Sequence, residues 1–285
     1  MKLSMSNIAW APEERLEAYA AMAQARFTGL EIAPGLFFHA SSDPFVPDEA
    51  TARDALAEMG DHGLSLVSMQ SLLFGVEGAG LFDGEEARAA LVTGMQRAID
   101  LAGRFAIPNL VFGSPAQRRI PDGMEMARAV DEAAEVFRKL GDRACQAGTC
   151  ITVEANPAAY GTNFLNTLGE ATDFVGIVDH AGIAAILDLG AMHMNESFDT
   201  VPALIADTKT KLNHVHVSEP DLAPAPADPH ALAPILAGLE KAGYSKAVSI
   251  EMRRDDSGIE AVKSSIAALA KAARAAGIFG ERADA

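Results

Sequence analysis

The 285 residues predict a single (β/α)8 TIM-type barrel, and three observations carry that prediction. Eight short β-type runs alternate with eight longer, alanine-rich stretches of helical period, the pattern of repeated βα units with parallel strands. Several helical stretches close on a turn residue just before the next strand, at Asp61-His62-Gly63, Ala147-Gly148, Ala181-Gly182 and Ala242-Gly243-Tyr244, as αβ loops do. The first strand runs into NIAWAPEER, which lacks the glycine fingerprint expected there of a doubly wound nucleotide-binding sheet. A chain of this length also allows two domains, but no proline- or serine-rich linker divides it. Pro220 to Pro229 (PDLAPAPADP) reads as a loop at the mouth of the seventh unit. Residues 1–279 are therefore expected to form one domain and Gly280 to Ala285 a polar tail.

In chain order, the strands are expected over Lys2 to Ile8, Thr28 to Ala33, Leu64 to Gln70, Pro108 to Gly113, Cys150 to Glu154, Ala184 to Asp188, Asn213 to Ser218 and Ala247 to Glu251. The helices follow over Pro12 to Ala25, Glu49 to His62, Glu85 to Phe105, Met124 to Ala147, Leu168 to Ala181, Thr200 to Thr210, Pro229 to Ala242 and Gly258 to Ala276.

Composition narrows the function. Hydrophobic residues make up 49% and charged residues 22%, which suits a globular chain with a large core and excludes disorder. Twenty-three Lys and Arg against 39 Asp and Glu give a formal charge of −16, a field that repels phosphate backbones and anionic lipid, so neither nucleic acid nor membrane is expected as a partner. No apolar run is long enough to span a bilayer, and Glu13, Glu14 and Arg15 fall where a signal peptide needs its apolar stretch, so a soluble, cytoplasmic protein is expected. Cys145 and Cys150 match neither a disulfide framework nor a zinc-finger spacing and are read as buried thiols.

The last four strands carry the chemistry. Alternate strand residues of a barrel face its interior and its helices, and a charged residue at a strand's C-terminal end projects into the site on that face. Thr152, Glu154 and Asn156 oppose Ile151 and Val153; Asp188 opposes Leu187 and Leu189; His214, His216 and Ser218 oppose Val215 and Val217; Ser249 and Glu251 oppose Val248 and Ile250. Glu154, Asp188, His216 and Glu251 thus converge on one rim, three carboxylates with one imidazole. Carboxylates that close cannot all stay ionised unaided, so either protons are retained or a cation is bound. An oxygen-rich set with one imidazole suits one divalent ion, Mn²⁺, Mg²⁺, Co²⁺ or Zn²⁺, without selecting among them. Glu154 and Glu251 are read as ligands that double as an acid/base pair, Asp188 and His216 as ligands only. The pair would take and return a proton at a carbon next to a carbonyl while the ion stabilises the enediolate, the chemistry of aldose–ketose isomerisation and ketose epimerisation.

These residues, in the motifs VEANP, ILDLG, HVHVSEP and SIEM, resemble the xylose isomerase-like barrel superfamily across essentially the whole chain, in particular its sugar phosphate isomerase/epimerase branch, with ketose 3-epimerases and hydroxypyruvate isomerase as relatives. The resemblance implies one divalent metal on the four matching residues, proton exchange by the two glutamates, and a small carbohydrate-like substrate. Two departures stand out. A substrate-holding histidine expected three residues past Asp188 is Ala191, so that His193, two further on, is the substrate-binding candidate that either takes its place through a longer loop or leaves the contact absent, and the arginine expected soon after His216 is missing from Glu219-Pro220-Asp221.

Further candidates for the mouth are Trp10 as an apolar wall for a sugar, Glu31, Gln70 and Asn156 as polar contacts, and Tyr160 beside them. His39 and the pair Arg118-Arg119 are expected to be solvated, and His214 to fill the interior below His216. Loops with exposed Phe37-Phe38 and Leu72-Leu73-Phe74 would serve either a dimer or tetramer contact or closure over the chain's own pocket. Competing functions are an inosose-type dehydratase on the same site and a metal-free metabolite-binding barrel. A metal-cluster endonuclease of the same fold is disfavoured by the charge and by only seven histidines.

Overall fold

Strand alternation closes on itself in the computed structural model, which describes residues 1–279. The strands are β1 (Lys2–Ser6), β2 (Gly29–Ile32), β3 (Ser65–Met69), β4 (Asn109–Phe112), β5 (Cys150–Glu154), β6 (Ile183–Asp188), β7 (Leu212–Val217) and β8 (Ala247–Ile250). Each pairs in parallel with the next, and β8 returns to β1 with Leu3 opposite Val248. The result is the expected (β/α)8 barrel. The expected polar tail lies outside the described residues.

Helices fill the ring outside: α1 (Arg15–Gln24), α2 (Pro34–Phe37), α3 (Glu49–Gly60), α4 (Glu85–Phe105), α5 (Met126–Ala147), α6 (Leu168–Val178), α7 (Leu189–Met194), α8 (Val201–Thr208), α9 (Pro229–Lys241) and α10 (Ile259–Ala275). The eight expected helices are present with ends shifted by a few residues. The short α2 and α7 are additional, and α7 starts because Asp188, at the end of β6, caps it by accepting the Ala191 N–H. Outward residues of the strands meet the helices in an aromatic chain from Phe112 on β4 to Phe137 on α5 (5.2 Å) and on to Phe174 on α6 (5.4 Å), each edge to face.

The turn glycines divide into two kinds. Gly63, Gly148 and Gly243 take left-handed φ of 71°, 74° and 77°, as helix ends require. Gly182 does not end its helix; Asp179 does, at φ 47°. Gly182 is instead needed for space, because a Cβ there would lie 2.4 Å from the Gly141 carbonyl of α5.

Two expectations about exposure are corrected. Cys145 is exposed and Cys150 half-buried, since Cys145 sits one residue off the buried stripe Phe137, Leu140, Gly141 and Ala144; burial pushes the Cys150 thiol up to about 12. Phe37, Phe38 and Leu72 are buried, and only Phe74 of the two apolar loops is prominently exposed, at 60%. Among the described residues, no helix is long and apolar enough to cross a membrane.

Candidate metal centre

Inside the ring the inward residues are largely polar: Ser4, Ser6, Glu31, Ser68, Thr152, His214, His216 and Ser249 are all fully buried. Buried polar groups seek partners, and several of these meet across the barrel. Glu31 on β2 reaches β7, with Oε1 2.9 Å from His216 Nε2 and Oε2 2.5 Å from His214 Nε2. Gln70 Nε2 donates to Glu31 Oε1 at 3.1 Å and also to Ser6 Oγ. Burial opposes the charge on Glu31, but the fields and hydrogen bonds of His216 and His214 outweigh it and hold the carboxyl far below the usual range. Burial lowers His214 despite Glu31.

Above this layer, one ligand atom from each of Glu154, Asp188, His216 and Glu251 falls within a span of 4.8 Å. His216 Nδ1 faces all three carboxylates, at 3.1 Å from Glu154 Oε1, 3.1 Å from Glu251 Oε2 and 3.6 Å from Asp188 Oδ2. Although burial disfavours the imidazolium, Glu251 and Glu31 raise His216 well above its ordinary value. Glu251 moves the other way from Glu31: burial pushes it up to about 7, with Glu154 and Asp188 adding to the rise and only His216 opposing it.

Each carboxylate is placed by local structure. Asp188 has both oxygens engaged, by the Ala191 N–H and by Ser218 Oγ at 2.9 Å, and Ser218 itself accepts the Gly190 N–H at 2.8 Å. Glu154 Oε2 accepts Asn156 Nδ2 at 3.0 Å and occupies space left by Gly113 at the end of β4, where a Cβ would lie 2.5 Å away.

A cavity of about 430 Å³ opens over the cluster at the C-terminal ends of β4 to β8, lined by Gly113, Glu154, Asn156, Asp188, Glu251 and Arg253 among others. Of the expected mouth residues, Asn156 lines it, as does Tyr160. Trp10 does not; it is buried edge-on against Tyr19 of α1, with ring centres 6.3 Å apart. Glu31 and Gln70 lie in the sealed layer beneath. His193 stacks flat on Phe198 at 3.8 Å, its Nε2 3.9 Å from Glu219 Oε2, while Ala191 lines the cavity. His39 and Arg119 are exposed. Arg118, expected to be solvated, is instead fully buried; burial lowers its guanidinium to about 10, against the support of Glu154. Arg253, the one cation in the cavity wall, was legible by alternation, two residues past Glu251.

Comparison with known proteins places this geometry. The family described as xylose isomerase-like TIM barrel matches residues 19–272. No curated protein matches the chain. Among solved structures, the chain is similar to 3-keto-D-glucoside 4-epimerase, YcjR, from E. coli in its apo form, at 20% identity and a TM-score of 0.73 over 94% of this chain and 98% of that one. It is similar to D-psicose 3-epimerase with D-tagatose from Clostridium cellulolyticum H10, at 19% identity and 0.73 over 98% of both chains. The IolI protein with a binding zinc atom matches at 16% identity and 0.70 over 98% of this chain and 99% of that one.

Proposed function

Because the chain belongs to the xylose isomerase-like TIM barrel family, we propose that it is a divalent-metal-dependent isomerase or epimerase of a sugar, sugar phosphate or small hydroxy-carbonyl compound. The observation that carries this reading is the cluster of three carboxylates and one imidazole within 4.8 Å at the floor of the cavity. The donor set fits a divalent cation: it is rich in oxygen, holds one imidazole nitrogen, and gathers more negative charge than His216 alone neutralises. Glu154, Asp188, His216 and Glu251 would hold the ion. Bound there, it would supply positive charge to stabilise electrons moving onto substrate oxygens.

The protein's own groups divide the remaining work. Asp188, with both oxygens tied to Ser218 and Ala191, is suited to holding and not to carrying a proton. His216 gives Nε2 to Glu31, which leaves Nδ1 for the cluster and fixes the ring as outer partners of metal-binding histidines do. Glu154 and Glu251 remain as the pair that would remove and return the proton next to the carbonyl. Asn156, Tyr160 and Arg253 in the cavity wall offer donors to substrate oxygens. That proteins named as sugar epimerases share the fold supports the same reading.

The test has two arms. Elemental analysis of the parent is compared with an Asp188→Ala, His216→Ala double variant after identical dialysis, with near-stoichiometric metal expected only in the parent. A panel of ketoses, ketose phosphates and inososes is then incubated with the loaded protein in deuterated water. Deuterium at the carbon next to the carbonyl without loss of water supports the isomerase or epimerase. Loss of water moves the assignment to a dehydratase. No metal, even after incubation with Mn²⁺, Mg²⁺ or Zn²⁺, overturns the proposal in favour of a metabolite-binding barrel.

A further inference from the structure

Arg118 is among the largest side chains with no exposed surface. Its loop buries it: Ser114 after β4 takes a left-handed φ of 43°, Pro115–Arg118 wind into one 3-10 turn, and the Gln117 carbonyl accepts the Leu81 N–H at 2.7 Å. Just beyond, Asn163 clamps both the N–H and the C=O of Ile120, at 2.7 and 3.1 Å. Among the described residues the guanidinium makes a single hydrogen bond, Nη2 to Asn156 Oδ1 at 2.8 Å, and its Nε and Nη1 have no partner there. Burying a cation is expensive, and one bond to a neutral amide does not repay it. The compensating charge stands behind the amide, on Glu154.

Asn156 is fixed at every other polar atom. Its N–H donates to the Leu165 carbonyl at 3.1 Å, its C=O accepts Asn166 Nδ2 at 2.8 Å, and its own Nδ2 donates to Glu154 Oε2 at 3.0 Å. The amide's remaining freedom is to exchange its two ends, which would turn an acceptor toward the carboxylate. A guanidinium has donors only, so Arg118 admits a single orientation, Oδ1 toward itself and Nδ2 toward Glu154.

We propose that Arg118 is a positioning residue that locks the Asn156 amide, seats Glu154 Oε2 beside Gly113 and thereby turns Glu154 Oε1 toward His216 and the cation. This rests on the metal reading given above. The two consequences of removing Arg118 have opposite signs. Loss of a positive charge near the cluster strengthens binding of a second cation, whereas loss of the lock weakens it.

The experiment is Mn²⁺ titration of the metal-free full chain for the parent, Arg118→Met, Arg118→Lys, Asn156→Ala and the Arg118→Met, Asn156→Ala double variant. Arg118→Met is expected to bind Mn²⁺ about 10- to 100-fold more weakly, the usual effect of losing an outer partner of a ligand. Arg118→Lys recovers most of the loss, because lysine also donates and cannot accept, and the double variant binds no more weakly than Asn156→Ala. Affinity in Arg118→Met equal to or above that of the parent overturns the proposal, as do losses that multiply in the double variant. Where Arg118→Met does not fold, Arg118→Gln paired with Asn156→Ala decides by the same non-additivity, because glutamine both donates and accepts and so no longer fixes the amide. A parent that takes up no Mn²⁺ overturns the cation reading before any variant is compared, and the lock with it, so the two failures are distinct.

Discussion

Glu31 and Glu251 lie on opposite sides of one imidazole, Glu31 Oε1 2.9 Å from His216 Nε2 and Glu251 Oε2 3.1 Å from His216 Nδ1, and burial penalises the charge on both. Glu31 shares its layer with two imidazoles and one neutral donor, Gln70, and is held far below the usual carboxylate range. Glu251 shares its layer with two further carboxylates and a single imidazole, and its carboxyl is pushed up to about 7. The same residue type, buried in both layers, therefore behaves oppositely because the ratio of cationic to anionic partners differs. The upper layer is balanced only by protons or by an added positive charge.

The sharpest way to break this comparison is to remove the acid/base groups singly. Glu154→Gln or Glu251→Gln is expected to slow deuterium exchange by about 10²- to 10⁴-fold, measured with whichever compound of the panel exchanges in the parent, while Glu31→Gln acts mainly on stability. Removing the shared imidazole affects both layers. His216→Ala leaves Glu31 with only His214 and should cost about 3–5 kcal/mol in denaturant unfolding, together with loss of retained metal. A neutral variant of Glu251 costs less, since the metal-free protein already favours that form.

The layers also separate by pH. Glu251 is raised from 4.5 to about 7 by burial, so its favourable contribution is complete below 4.5 and is lost as pH rises through 7. His216 is raised as well, and its contribution likewise fades above neutrality. His214, lowered by burial, acts in the opposite sense and contributes less as pH falls below 6.5. Glu31, lowered by its imidazoles against its burial, keeps its full contribution above 4.5 and loses it progressively as pH falls below that value. With the two raised groups dominant, unfolding curves of the metal-free protein from pH 5 to 8 should show stability falling as pH rises. Added Mn²⁺ should reverse that slope, because protons and the ion compete for the same atoms. The smallest expected effect is that of Gly113→Ala, about 1–3 kcal/mol of overpacking against Glu154 Oε2, read as a lower melting temperature with weaker Mn²⁺ uptake.

What was legible in the sequence follows the strand period. Glu154, Asp188, His216 and Glu251 stand at strand ends with apolar neighbours on the opposite face, and closure of the ring then dictates their meeting. Glu31 stood out as a lone charge in TGLEIA, yet its depth did not, because strand length alone does not say how far below the rim a residue falls. Trp10 and Arg118 sit in loops and His193 in the short α7, too brief for a period to fix direction. Arg118 is buried by a left-handed serine and a 3-10 turn, and Trp10 by a ring contact with Tyr19, neither of which alternation can reveal. Asp179 took the helix-ending role expected of Gly182, whose missing side chain serves contact with α5 instead.

The cross-barrel contact of Glu31 with His216 links segments 185 residues apart. All four proposed rim ligands fall within one consecutive stretch, from Glu154 to Glu251, half of the barrel. Yet the ring nitrogen of His216 that faces away from the cluster is fastened by the other half. On the proposed metal reading, ion capture and ring closure are joined like the two parts of a clasp: orienting the imidazole for the metal would require the first half-barrel to be in place, and a bound ion would in turn draw the halves together. Metal affinity then reports whether the circle of strands is complete, and chelation should loosen the molecule first along the seam between its halves and not at the rim alone.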